Sequence, residues 1–131
     1  MAYVLVIDDD REVRHALVRL LTRLGHEVVD AENGKVALKR FAERPADLVI
    51  TDINMPEMDG IEVITTFAEQ HPGVRVIAIS GGGRIPKELL LSSAGMLGAV
   101  VTVAKPFDIA QIRDAVDRAL SDSGDTESGR P

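Results

Sequence analysis

An α/β fold, a parallel sheet covered by helices on both faces, follows from three features of this chain. Short β-branched runs alternate with amphipathic stretches five times. The runs show no clear polar and apolar alternation, the form of strands buried on both faces. And the most polar residues follow the runs directly. Strict alternation of strand and helix predicts right-handed crossovers and a single doubly wound sheet of five strands.

The strands are expected at 3–7, 27–31, 47–51, 74–79 and 99–103. Between the first two, Val13, Ala16, Leu17, Leu20, Leu21 and Leu24 recur at helical spacing and stop at Gly25, a favoured C-terminal cap. Weaker helical patterns surround 37–41 and 61–68, the latter ended by His71-Pro72-Gly73. A fourth helix can begin at Pro86, since proline suits a first helical position. In the fifth, Asp108 caps the start, Gln111 completes a capping box, and Ile109, Ile112, Val116 and Leu120 form the buried stripe. From Ser121 onward no large apolar residue remains to offset the entropy of ordering. One domain over 1–121 and a disordered tail over 122–131 are expected, with no output domain in the chain.

Composition narrows the function. At 131 residues and 45% hydrophobic content there is material for one core. A net charge of −6 argues against a surface built for nucleic acid or anionic lipid. The absence of cysteine removes disulfides and thiolate metal sites. No apolar run is long enough for a signal peptide or a membrane span, so a soluble cytoplasmic protein is expected.

In open α/β sheets ligands gather beyond the carboxyl ends of the strands. The first run ends in Asp8-Asp9-Asp10, the third in Asp52, the fourth in Ser80-Gly81-Gly82-Gly83, and the fifth leads through Ala104 to Lys105-Pro106. With strand order 2-1-3-4-5, Asp8, Asp9 and Asp52 converge at the switch point. Crowded carboxylates recruit a hard divalent cation, and few ligands with room for water and phosphate oxygens favour Mg2+ over Ca2+. A carboxylate can act as a nucleophile toward phosphorus once the developing charge is neutralised. Lys105 supplies a positive charge, and the Ser80 hydroxyl and adjacent backbone N–H groups supply hydrogen bonds.

Each residue also has an ordinary reading. Asp9 or Asp10 can cap the first helix, and Asp9 with Glu12 has capping-box spacing. Asp52 can begin the turn DINMPEMDG, Ser80 and its glycines can be a surface loop, and Lys105 can be a solvated lysine. His15, His26 and His71 lack metal-ligand spacing and read as surface or packing residues. Leu89, Leu90 and Leu91 read as core, although three consecutive residues cannot share one helix face. The joint occurrence of a carboxylate, hydroxyl or ammonium at four strand ends favours a phosphoryl site.

VLVIDDD, LVITDINMPEMDG, IAIS and Lys105-Pro106-Phe107 occur in the order and roughly the spacing of the response-regulator receiver domain, which the chain resembles from Tyr3 to Leu120. The resemblance implies a flavodoxin-like fold of order 2-1-3-4-5, with Asp52 as phosphoacceptor. Asp8 and Asp9 become acidic metal-site residues, and Asn54 a backbone carbonyl ligand of Mg2+. Ser80 matches the hydroxyl switch, Gly81 adjoins it at the phosphate, and Lys105 matches the phosphate-contacting lysine, whose bond to proline is cis in such domains.

A histidine kinase or histidine phosphotransfer protein is the implied donor and an unnamed protein the target, with the receiver a monomer or weak dimer rather than a multiple-turnover enzyme. Two departures stand out. Thr102 occupies the position where many receivers carry an aromatic switch, and Val100 and Val101 replace an acidic pair common in receivers that dimerise through their last strand and helices. A phosphorylation-independent binding module and a small Mg2+-dependent phosphatase using Asp52 are the competing readings.

Overall fold

The computed structural model describes residues 1–53, 60–80 and 99–125. In chain order these form β1 (Tyr3–Ile7), α1 (Arg11–Arg23), β2 (Glu27–Ala31), α2 (Gly34–Glu43), β3 (Leu48–Asp52), α3 (Gly60–Gln70), β4 (Arg75–Ser80), β5 (Ala99–Ala104) and α4 (Ile109–Asp125). Helix α4 is the fifth helix of the sequence reading. The helix expected at Pro86, with Leu89, Leu90 and Leu91, lies outside the described residues. All strands are parallel, in the order β2-β1-β3-β4-β5.

The sheet separates two apolar cores. Leu5, Ile7, Val49, Val76 and Ala78 point toward α2 and α3, where they meet Ala37, Phe41, Val63, Ile64 and Phe67. Val4, Val6, Leu48, Ile50, Ile77, Ile79, Val101 and Val103 point the other way, toward Leu17 and Leu21 of α1 and Ile112, Ala115, Val116 and Ala119 of α4. Successive strand residues thus alternate between two buried faces, which is why the sequence runs look uniformly apolar.

Local signals explain the ends of the helices. Asp10, in extended conformation, accepts hydrogen bonds from the N–H groups of Glu12 and Val13 and caps α1. Gly25, with φ of 96°, adopts the left-handed conformation that closes this helix, and the N–H of His26 reaches back to the carbonyl of Leu21 at 3.1 Å. Asn33 caps α2 through the N–H of Val36. Asp108 and Gln111 exchange reciprocal backbone bonds of 2.8 and 2.9 Å, the expected capping box.

Several expectations change. β3 and β4 begin and end one residue later than expected, which places Asp52 and Ser80 inside the strands. β2 is an edge strand, and only Ala31 in it is buried, because one of its flanks has no neighbouring strand. Ala16 is exposed, on the flank of the stripe that Leu17 and Leu21 bury. Ile109 is 41% exposed and lines a shallow groove with Ala16 and Leu20 on the flank of α1. Val101 faces the core rather than the surface, so the strand pleat, not a loss of charge, sets its role. Helix α4 runs to Asp125. No helix among the described residues is long and apolar enough to cross a membrane.

Candidate phosphoryl and metal site

Strand register assembles the site. Ile7 lies beside Thr51, so Asp8, one residue on, reaches the level of Asp52. Asp52 in turn lies beside Ile79, and Ser80 beside Ala104, which brings Ser80 and Lys105 to the same rim. The N–H of Lys105 donates to the carbonyl of Ser80 at 2.8 Å and fixes the β5 exit. The Lys105–Pro106 bond is cis, as the resemblance implied.

The side chains converge in a mostly dry setting. Asp8 is fully buried, and Asp52 and Ser80 are each 4% exposed. Oxygens of Asp8, Asp9 and Asp52 all lie within 4.8 Å of one another, with Asp9 on the solvent side. Lys105 Nζ donates to Asp52 Oδ2 at 2.8 Å and stands 3.9 Å from Asp8 Oδ2, an ion pair too long for a hydrogen bond. Asp8 Oδ1 accepts the N–H of Asp10, whereas the buried Asp8 Oδ2 has no hydrogen-bond partner.

The electrostatics follow from this geometry. Burial pushes the Asp8 carboxyl up from 3.8 to about 6; the Asp10 N–H and Lys105 pull it back, and the charges of Asp52 and Asp9 add to the rise. For Lys105, burial alone would lower the ammonium pKa. The hydrogen bond and charge of Asp52, with Asp8 and Asp10 beyond, outweigh it and raise the value.

These donors fit a hard divalent cation. Three carboxylates offer oxygens to one point, and an orphaned buried oxygen of Asp8 is the kind of atom a cation would satisfy. The ambiguity among the three consecutive aspartates is resolved. Asp10 is the helix cap, while Asp8 and Asp9 bring their oxygens close to those of Asp52. Asn54 and Gly81 lie outside the described residues. His26 Nδ1 accepts the N–H of Ala2 at 3.1 Å, His71 packs 4.4 Å from the Phe41 ring, and His15 is exposed, so the histidines are surface and packing residues.

Sequence reasoning missed Arg14. From α1 it donates through Nη1 to the backbone carbonyl of Asp8 and through Nε to Asp30 Oδ2 of β2, both at 2.8 Å. The available signal was Asp30 itself, a lone acid within the apolar run EVVDA.

The response regulator receiver domain, as a family model, matches residues 4–117. Sporulation initiation phosphotransferase F of Bacillus subtilis strain 168 is 34% identical over 117 residues, 89% of this chain and 92% of that protein. The DNA-binding transcriptional regulator NtrC of Azospirillum brasilense is 35% identical over 120 residues; the match takes in 92% of this chain but only 24% of the regulator, so the chain spans about a quarter of that relative. Among solved structures, response regulator protein TrrA from Thermotoga maritima, in complex with Mg2+ and BeF, aligns with a TM-score of 0.76 at 31% identity, over 92% of this chain and 100% of that one.

Proposed function

This chain belongs to the response regulator receiver domain family, and from that premise we propose that it accepts a phosphoryl group on Asp52 from a phosphohistidine. The observation that carries the reading is the pairing of Lys105 Nζ with Asp52 Oδ2 at 2.8 Å beside the buried, unsatisfied Asp8 Oδ2. In the reaction, a carboxylate oxygen of Asp52 attacks phosphorus, the O–P bond forms as the P–N bond breaks with its electron pair going to nitrogen, and the leaving imidazole nitrogen takes a proton from solvent. Lys105, held against Asp52 at rest, turns its ammonium to a phosphoryl oxygen and keeps the charge balanced. The Ser80 hydroxyl and the backbone N–H of Gly81 hydrogen-bond the remaining oxygens. Asp8 and Asp9, with Asp52 and the carbonyl of Asn54, would hold Mg2+. When bound, the ion supplies charge neutralisation on the transferred group.

Water later cleaves the acyl phosphate, so the chain turns over its own modification and not an external substrate. The donor is a histidine kinase or histidine phosphotransfer protein in the cytoplasm, and the phosphorylated face binds a further protein rather than nucleic acid. Residues 1–121 act as the receiver, a monomer or weak dimer, with 122–131 as an appended polar segment.

Incubation with acetyl phosphate and Mg2+, followed by intact mass measurement, is expected to add one phosphoryl group to the wild type and none to Asp52→Asn. An unchanged wild-type mass with both acetyl phosphate and a phosphorylated histidine donor would overturn the proposal. Thr102 is exposed on β5 where an aromatic switch is common in receivers, which favours a phosphorylation-independent binding role as the second reading. Equal partner affinity for wild type and Asp52→Asn in the presence of donor would select it.

A further inference from the structure

We infer that Arg14 is a positioning residue for the metal-binding carboxylates: it clamps the backbone of Asp8 through the Asp8 carbonyl and so sets the approach of Asp8 and Asp9 to the cation. The inference rests on the reading that Asp8 and Asp9 hold Mg2+.

The Asp8 peptide is held from three directions. Its N–H donates to the carbonyl of Ala31 at 3.2 Å, its side-chain Oδ1 receives the N–H of Asp10 at 2.9 Å, and its carbonyl receives Arg14 Nη1 at 2.8 Å. The first two anchor the residue to β2 and to the start of α1. The third fixes the plane of the peptide between Asp8 and Asp9, and that plane decides where the Asp9 side chain projects. Asp9 is solvent-exposed. Its placement therefore depends strongly on the backbone that carries it.

Arg14 is itself well held. Its side chain is only 12% exposed, and Asp30 Oδ2 accepts its Nε at 2.8 Å, so one planar guanidinium spans a helix, the end of β1 and the edge strand β2. A lysine has the charge but not the fork, and cannot make both bonds in that geometry. Groups that orient a ligand without touching the metal alter metal affinity by about 10-fold to 100-fold when removed.

Electrostatics makes the opposite prediction, which renders the claim decisive. A cation bonded to the backbone of a metal-binding aspartate repels Mg2+, so if Arg14 mattered only through its charge, Arg14→Ala would tighten Mg2+ binding. Positioning requires that it weaken. Arg14→Lys, which keeps the charge, would leave affinity unchanged on the electrostatic account and lower it on the positioning account.

Calorimetric titration of the metal-free protein with MgCl2 tests this, in wild type, Arg14→Ala and Arg14→Lys, at low salt and again at about 0.5 M NaCl to screen charge. The expected result is a Mg2+ dissociation constant raised about 10-fold in Arg14→Ala and raised less in Arg14→Lys, with the order kept at high salt. Amide exchange in EDTA provides a readout without metal: the Asp8 and Asp10 N–H groups should lose protection in both variants while the β3 and β4 amides keep theirs. Should Arg14→Ala fail to fold, Arg14→Lys carries the test alone. Unchanged or tighter Mg2+ binding in the variants, or exchange that rises across the whole sheet, overturns the inference. Failure of the wild type to bind Mg2+ overturns the site reading and the inference with it, and is distinguished by the wild-type titration itself.

Discussion

Asp8 and Glu27 sit at opposite ends of the same sheet, and their surroundings shift their proton affinities in opposite directions. Glu27, at the amino-terminal rim, lies on the surface and accepts two hydrogen bonds from Arg44, at 2.8 and 3.0 Å, and that bonding draws its carboxyl below the ordinary range. The same guanidinium lies 3.6 Å from the centroid of the Tyr3 ring, and Asp47 Oδ2 accepts the N–H of Tyr3. Glu27, Arg44 and Asp47 are thus all engaged at that rim. At the carboxyl-terminal rim, Asp8 is buried, is pushed up to about 6 mainly by that burial, and keeps one oxygen without a hydrogen bond. The difference teaches where this molecule gives up stability for chemistry: Glu27 is neutralised by its exposed partner, whereas Asp8 is held buried near Asp9 and Asp52, a crowding of carboxylates that a cation would relieve.

The largest expected effect at the two rims belongs to Asp8. Its folded-state value lies above its ordinary one, so the protonated form is favoured in the fold, and its contribution to stability is complete below 3.8 and lost as pH rises through about 6. Urea unfolding in EDTA should therefore show Asp8→Asn gaining about 2 kcal/mol on the wild type between pH 4 and pH 7. Saturating Mg2+ should narrow that gap in the wild type. Parallel pH profiles for the two proteins would contradict the contrast between the rims.

Next comes Lys105, the cation that partly answers Asp52 and Asp8. Lys105→Ala removes the charge-assisted hydrogen bond from Lys105 to Asp52, and unfolding of the metal-free protein at pH 7 should become easier by about 2 kcal/mol. Phosphorylation by a small donor, followed by intact mass over time, should slow by about 100-fold. A normal rate would mean that the ammonium is no part of the transfer chemistry.

The smallest effect is expected at the other rim. Glu27→Gln breaks an exposed pair whose two side chains are each 55% accessible to solvent. It should leave both the unfolding midpoint and the phosphorylation rate within error, because exposed ion pairs are screened and costly to order. A large loss of either would erase the distinction drawn between the two ends.

Much of this fold was legible in the chain. The runs at 3–7 and 27–31 match the observed strands, and the capping box of Asp108 with Gln111 appears as read. Local chemistry decides such features: a cap needs one side chain near its own backbone, and a strand buried on both faces needs only apolar residues. Errors arose where an element meets the limit of the core. Ile109 has the right helical spacing yet is largely exposed, and β2, at the edge where the strand order put it, buries only Ala31. Periodicity describes a face of an element but not what lies beyond its end.

The candidate site divides in the same way. The types of residue were visible as Asp8, Asp9, Asp52, Ser80 and Lys105 behind four apolar runs, because polar residues at strand ends interrupt an otherwise apolar pattern. By itself the sequence determined an alternating α/β chain and a polar rim with the makings of a phosphoryl site, since both depend on residue type and local spacing. Only the tertiary structure decided that Asp10 caps α1, that Asp8 is the buried acid and Asp9 the exposed one, and that Arg14 reaches the Asp8 carbonyl while anchored to Asp30. Those outcomes depend on the register between strands and on the reach of a side chain across two elements, and distances of that kind exist only after the chain has folded.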